Sequence, residues 1–319
     1  MNGNGAPRAE FARDARIGLC EAKRKWLPAR HLYDAVGSAL FEAITHLPEY
    51  GLTRADERVL RRAAAALPSL LPSRGLTIAE LGSGSGTKTR LVLEAFAASQ
   101  VLSYCPIDIS SEALERCRQE LGGLVTVLPH HGAYVDGVRS LRESRPADVP
   151  LMLLFLGSSI GNLGPPERAS FLSSLRSALR PGDYCLIGFD LVKPTADLLR
   201  AYDDPTGVTA AFNRNVLGRV NRELSASFDL GSFDHQARYD ERERRVEMHL
   251  VATCDQGVRI PLADATCNLR RGETIWTESS YKFERDEIGA DMQAAGLRQV
   301  AAWVDEEWPL LEGLWLVDG

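Results

Sequence analysis

Apolar positions along this chain change their period twice. From Leu76 onward, short unbroken apolar runs alternate with longer stretches in which apolar residues recur every three or four positions. Leu76 to Leu81 reads as a strand, Lys88 to Ala98 as a helix, Val101 to Ile107 as a strand and Ser111 to Leu121 as a helix. A third short strand fits Leu124 to Leu128, and Leu151 to Leu156 is a continuous apolar run between Pro150 and Gly157. Pro165 to Leu179 follows as a helix, Pro181-Gly182-Asp183 as a turn, and Tyr184 to Phe189 as a further strand. Strands apolar at every position suit a sheet covered on both faces, and helices of ten or more residues between them imply parallel strands. The pattern predicts a doubly wound α/β core.

The flanks follow other rules. Residues 1 to 10 (MNGNGAPRAE) offer almost nothing to bury and are expected to be a flexible start. Phe11 to Leu60 is mostly helical in pattern, with a bend at Leu47-Pro48-Glu49-Tyr50-Gly51. After residue 193 the alternation stops. A polar helical stretch carries Asn213, Arg214, Asn215, Arg219, Asn221 and Arg222, expected to be a solvated face, and β-like segments follow at Arg245 to Ala252 and Thr274 to Phe283. This insertion reads as a small α+β element. The core theme then returns, with an amphipathic helix over Arg285 to Ala295 and short apolar strands at Gln299 to Val304 and Leu314 to Val317.

Composition narrows the function classes. The 319 residues, 45% hydrophobic and 25% charged, allow one large domain or two. Thirty-seven Lys and Arg against 43 Asp and Glu leave a net charge of −6, which argues against a general nucleic-acid or membrane-surface binder. The chain has no run of about 18 apolar residues and no apolar segment near its start, so neither a membrane span nor a secretory signal is expected, and a cytoplasmic protein is. The six cysteines form no C-x-x-C pair and are read as reduced and structural. His130 and His131, adjacent on a strand, would point to opposite faces, so no metal site is expected.

Chemistry begins at Glu80-Leu81-Gly82-Ser83-Gly84-Ser85-Gly86, between a predicted strand and a predicted helix. Glycines there allow left-handed turns and close approach of a ligand to a helix amino end. The dinucleotide spacing G-x-G-x-x-G fails, because Thr87 stands where the last glycine would be when counted from Gly82, and Thr89 when counted from Gly84. That disfavours a nicotinamide-dependent oxidoreductase. A P-loop is absent too. What stands here is E-x-G-x-G-x-G, with Glu80 available to a cationic amino-acid tail, as in the first motif of S-adenosylmethionine-dependent methyltransferases. Asp108, at the end of the next strand, is placed for ribose hydroxyls, while Ser110 is free to cap the helix that follows.

Further segments carry a more specific resemblance. These are Leu32-Tyr33-Asp34 through Val36-Gly37-Ser38, Phe41-Glu42, Leu47-Pro48-Glu49-Tyr50, Thr53-Arg54, Phe155 through Leu163 (FLGSSIGNL), Asp190-Leu191-Val192-Lys193, Ala201-Tyr202-Asp203-Asp204, Phe212-Asn213-Arg214-Asn215 and Thr277-Glu278-x-Ser280. In that order, across about residues 15 to 305, they resemble the histidine-specific Nα-methyltransferases of ergothioneine biosynthesis. The resemblance implies a Rossmann-like class I methyltransferase core over 56–193 and 282–319, with a second, discontinuous α+β substrate-binding domain over 11–55 and 194–281. It implies three methyl transfers from S-adenosylmethionine, released as S-adenosylhomocysteine, to the α-amine of L-histidine, giving hercynine, with no metal and no obligate protein partner.

Carried over by motif, the cofactor would meet Glu80, Gly82, Gly84, Gly86, Lys88, Asp108 and Tyr134. Histidine would meet Tyr33, Phe41, Tyr50, Gly157, Asn162, Tyr202, Met248, Glu278 and Ser280, with Tyr50 and Asn162 as the catalytic residues. Two positions depart from the family pattern. Ala133 stands before Tyr134 where relatives often have an Asp that accepts from the adenine amine, and Gly51 stands where relatives often have a Tyr. Glu278 and Ser280, two apart on a strand, share a face, and a carboxylate with a hydroxyl suits the two nitrogens of an imidazole. The readings left open are the same chemistry on tryptophan or tyrosine, which would call for a larger, less polar pocket, and a non-catalytic sensor that binds the cofactor without turnover.

Overall fold

The computed structural model describes residues 5–71, 75–84, 86–96 and 101–319. In chain order the helices are α1 (Gly5–Ala15), α2 (Ala35–Thr45), α3 (Gly51–Leu70), α4 (Thr87–Phe96), α5 (Ser111–Leu121), α6 (Tyr134–Ser144), α7 (Pro165–Ala178), α8 (Thr195–Tyr202), α9 (Val208–Leu224) and α10 (Arg285–Ala294). The strands are β1 (Lys25–Trp26), β2 (Leu76–Leu81), β3 (Val101–Asp108), β4 (His130–His131), β5 (Leu151–Phe155), β6 (Tyr184–Asp190), β7 (Phe233–Asp240), β8 (Arg245–Ala252), β9 (Gln256–Ile260), β10 (Ala265–Leu269), β11 (Thr274–Tyr281), β12 (Leu297–Asp305) and β13 (Leu310–Val317). They divide into two compact units. One comprises Met1–Gly51 and Lys193–Tyr281, the other Leu52–Val192 and Lys282–Gly319. The boundary expected at 55/56 falls inside α3, because a continuous helix carries its apolar face as one piece.

The larger unit is built on a seven-stranded sheet in the order β12-β13-β6-β5-β2-β3-β4. Strands β4, β3, β2, β5 and β6 run parallel, while β13 enters antiparallel to β6 and pairs with β12. β2 and β5 are buried at every position. Their side chains alternate between two cores: Leu151, Leu153 and Phe155 join one, Met152 and Leu154 the other. This is the physical meaning of an unbroken apolar run. Strand order reverses between β2 and β5, and at such a switch point the carboxyl ends of the strands diverge and leave a crevice.

In the smaller unit, a four-stranded sheet has the order β1-β11-β8-β7, with β1 parallel to β11 and the rest antiparallel. β9 and β10 form a separate hairpin. A register shift between Trp276 and Glu278 marks a bulge in β11.

Several expectations need correction. Residues 5 to 10 belong to α1, while residues 1 to 4 lie outside the described residues. Within the stretch expected to be mostly helical, Lys25–Trp26 pairs as a strand. At Leu124 to Leu128 only Val127 makes a bridge, to Tyr104, and the regular strand comes later at His130–His131. Pro129 has no N–H to give, which interrupts an edge ladder that has only one neighbour. The terminal strands are longer than their apolar stretches, because Glu312 and Gly313 interrupt the run in sequence while both are buried in β13. The predicted end of the helix at Ala98 lies outside the described residues. Cys105, Cys117, Cys185 and Cys267 are buried and free, whereas Cys254 is exposed.

Candidate active site

In the larger unit the loop after β2 turns at Gly82, Gly84 and Gly86, whose φ angles are 71°, 53° and 76°. Side chains rarely adopt such angles, so glycine is required by the turn itself. Gly82 donates from its N–H to the Ile107 carbonyl at 2.9 Å, fastening the loop to β3. Gly86 is packed down, since a Cβ there would lie 2.8 Å from Leu121 Cδ1. Gly82 and Gly84 are exposed, and a Cβ on Gly84 would meet nothing within 4 Å. Ser85, between them and Gly86, lies outside the described residues.

Asp108 ends β3 half-buried, accepting from Ser110 N–H at 2.9 Å and from the Gly84 N–H. Burial raises its pKa against the pull of these backbone donors. Ser110 caps α5 by accepting from Ala113 N–H at 3.1 Å, so capping makes no demand on Asp108. Tyr134 opens α6, and its hydroxyl would come within 2.7 Å of a Cβ on Gly82. Its ring meets Phe155 edge-on at 6.0 Å. Ala133 before it makes no side-chain cap. Exposed glycine backbone, a half-buried carboxylate and an aromatic ring at the switch point fit a nucleoside that carries an amino-acid tail.

Two residues expected to meet the cofactor already have protein partners. Glu80, expected to meet the cationic tail, is buried, and its Oε2 accepts from the hydroxyls of Thr89 and Tyr104. Burial pushes its carboxyl up to about 7, with both hydroxyls opposing the shift. It braces the loop from within. Lys88 is paired with Asp56 of α3, which outweighs the burial acting against its ammonium and raises its pKa. Its Nζ would lie 3.2 Å from a Cβ on Gly157.

At the carboxyl end of β5 the backbone is left-handed at Gly157 and Ser158, with φ 69° and 56°. Ser158 Oγ accepts from Asp190 N–H at 2.8 Å and holds this turn to β6. The single helical turn Ser159–Asn162 then leaves Asn162 exposed.

In the smaller unit an aromatic chain links the expected substrate residues. Tyr33 meets Phe41 edge-on at 5.5 Å, Phe41 meets Tyr50 at 6.3 Å, and Tyr50 meets Tyr202 at 6.3 Å. The Tyr202 hydroxyl donates to Ser280 Oγ at 2.7 Å. Glu278 shares the face of Ser280 along β11 and pairs in register with Met248 of β8. Glu278, Ser280 and Met248 are all buried. Tyr33, Phe41, Tyr50, Tyr202, Met248, Glu278 and Ser280 thus form one cluster, and Gly157 and Asn162 belong to the other unit.

Sequence reasoning missed what supports this cluster. Phe212 is buried against Tyr33 and Phe41, with ring centroids at 5.5 and 6.0 Å. Asn213, read as part of a solvated face, is fully buried. Its amide donates to His235 Nδ1 at 2.9 Å and to the His249 carbonyl at 3.2 Å, while its Oδ1 accepts from Thr277 Oγ1 at 2.6 Å. His235 Nε2 in turn donates to the Tyr202 carbonyl at 2.7 Å, and burial lowers the pKa of His235, keeping the ring neutral. Asn215 is also buried, donating to Asp34 Oδ1 at 2.7 Å. The signal in sequence was the apolar spacing Phe212, Val216, Leu217 and Val220, which runs beside both asparagines on the helix.

A family model described as histidine-specific methyltransferase, SAM-dependent, matches residues 11–311. The histidine N-alpha-methyltransferase of Mycolicibacterium smegmatis is 43% identical, over 92% of this chain and 90% of that protein. The histidine N-alpha-methyltransferase of Mycobacterium tuberculosis is 41% identical, over 95% and 94%. Ergothioneine biosynthesis protein 1 of Neurospora crassa is 34% identical over 87% of this chain, which matches 32% of that longer protein.

Proposed function

Because the chain belongs to the family of histidine-specific, S-adenosylmethionine-dependent methyltransferases, we propose that it transfers three methyl groups to the α-amine of L-histidine, forming hercynine for ergothioneine. The cofactor supplies an electrophilic methyl on a positive sulfur. The chain's own residues bind, orient and strip a proton. In this reading the loop at Gly82 and Gly84, with Asp108 and Tyr134, holds the nucleoside, and Lys88 faces the cofactor's carboxylate. The reaction is read as cytoplasmic, in keeping with the free cysteines.

The observation that carries the choice of histidine is the polar group Tyr202, Ser280 and Glu278 set among aromatic rings and the Met248 thioether. Glu278 accepts from one imidazole N–H, and the Ser280 hydroxyl, held by Tyr202, answers the other nitrogen as donor or acceptor. An indole has one N–H and no second polar edge, so it would lack the second ligand bond that an imidazole makes to this pair. Tyr50 and Asn162 are assigned to the amine end, where the lone pair must be freed and aligned with the methyl.

Incubation of the enzyme with S-adenosylmethionine and each aromatic amino acid in turn, read by mass for added methyl groups, tests the proposal. Histidine carrying three is expected. Preferential methylation of tryptophan or tyrosine would overturn the assignment of the pocket.

A further inference from the structure

Lys88 does not meet Asp56 alone. Glu312 of β13 stands opposite Gly188 of β6 in register, and a Cβ on Gly188 would collide with Glu312 Oε1, so the missing side chain makes room for the carboxyl. Glu312 and Asp56 are both fully buried. Glu312 lies within hydrogen-bonding reach of Asp56, yet neither Glu312 oxygen meets a donor, and neither does Asp56 Oδ1. Two carboxylates contain only acceptors, so atoms this close and this dry make a bond only with a proton between them.

We propose that Asp56 and Glu312 share one proton and act as a positioning pair that fixes the Lys88 ammonium beside Gly157 while keeping the cluster neutral. With both carboxyls ionised, Lys88 would face two negative charges and the group would carry a net −1. With one proton shared, it sums to zero, and the ammonium retains N–H bonds for a carboxylate. Glu80 also acts on Lys88, and it is already engaged by Thr89 and Tyr104. Burial raises the pKa of Glu312 far above the ordinary carboxyl range, in the direction the shared proton requires. The proposal rests on the reading of Lys88 as a group that faces the cofactor's carboxylate.

Two readouts test it. Infrared difference spectra of the folded protein, wild type minus Glu312→Gln, are expected to show a protonated carboxyl at neutral pH. Asp56→Asn should remove the same band, because Glu312 then ionises against Lys88; this variant carries the test if Glu312→Gln does not fold. Calorimetry with S-adenosylmethionine should show wild-type affinity falling about tenfold toward alkaline pH as the pair loses its proton, and Glu312→Gln should abolish that fall. A merely structural role for Glu312 would not move the pH profile. Absence of the band, or an unchanged pH profile in Glu312→Gln, overturns the shared proton. Lys88→Met separates the two readings: if it binds cofactor normally while the band persists in the wild type, the role of Lys88 fails and the shared proton stands.

Discussion

Replacing Asn213 by alanine removes a side chain that joins α9 to three strands of the smaller unit's sheet. His235 Nδ1 loses its donor, the His249 carbonyl loses a bond, and Thr277 keeps only the Met248 carbonyl at 3.0 Å. A buried group left unsatisfied costs about 1–3 kcal/mol and each further lost bond about 1 kcal/mol, with the small cavity adding to both. The total is about 3–5 kcal/mol. For a chain of this size, about 2 °C per kcal/mol gives a fall in Tm of about 6–10 °C, read by calorimetry. The perturbation also reaches the site, because His235 holds the Tyr202 carbonyl and the Tyr202 hydroxyl holds Ser280. Histidine affinity of the folded variant should therefore fall about tenfold while cofactor affinity stays within about twofold. A Tm shift under about 2 °C would refute the energetic reasoning. A large Tm shift with unchanged histidine affinity would refute the link from Asn213 to Tyr202.

Three other outcomes are expected. Glu278→Ala should weaken histidine binding by about tenfold or more, since a ring N–H loses a charged acceptor, with little effect on S-adenosylmethionine; calorimetry with each ligand separates them. Glu80 gives a pH signature, because folding raises its pKa from the ordinary 4.5 to about 7. The folded state then holds the proton more tightly, so stability is greatest below pH 4.5 and is lost as pH rises through 7. The stability of wild type relative to Glu80→Gln should fall by about 3 kcal/mol across that window in denaturant titrations. The loop glycines should grade by surroundings. Gly86→Ala combines a φ of 76° with a collision on Leu121 and should destabilise by about 2–4 kcal/mol, whereas Gly84→Ala meets open space and should cost about 1 kcal/mol of stability, both read by thermal melts.

Much of the larger unit was legible because its strands are apolar at every position and its helices at every third or fourth, and both patterns survive without tertiary information. Leu76 to Leu81 and Ser111 to Leu121 are found with the same ends. What escaped were polar residues inside. Asn213 and Asn215 look solvated until their partners, 22 to 181 residues away, are known. Glu312 broke an apolar strand on paper because only the register with Gly188 shows where its carboxyl goes. Glu80 was expected at the cofactor's tail, and that its Oε2 accepts from the Thr89 and Tyr104 hydroxyls was not legible, since a motif does not show what a carboxyl packs against. The aromatic chain from Tyr33 to Tyr202 came from family resemblance, since its four ring positions have no common period.

The division of the chain into alternating pieces sets an order of assembly. β1 pairs with β11 across about 250 residues, Lys25 with Ile275, and β6 acquires its second neighbour only when β13, beginning at Leu310, has been made. On a ribosome, which delivers residues from the amino end, neither unit can close its sheet until nearly the whole chain has emerged. Long-range pairing of this kind is slow, and one edge of β6 and one edge of β8 stay open in the meantime. No single cut would therefore yield one complete unit free of the other's segments. To isolate either one, a gene would have to be stitched from its two segments or circularly permuted.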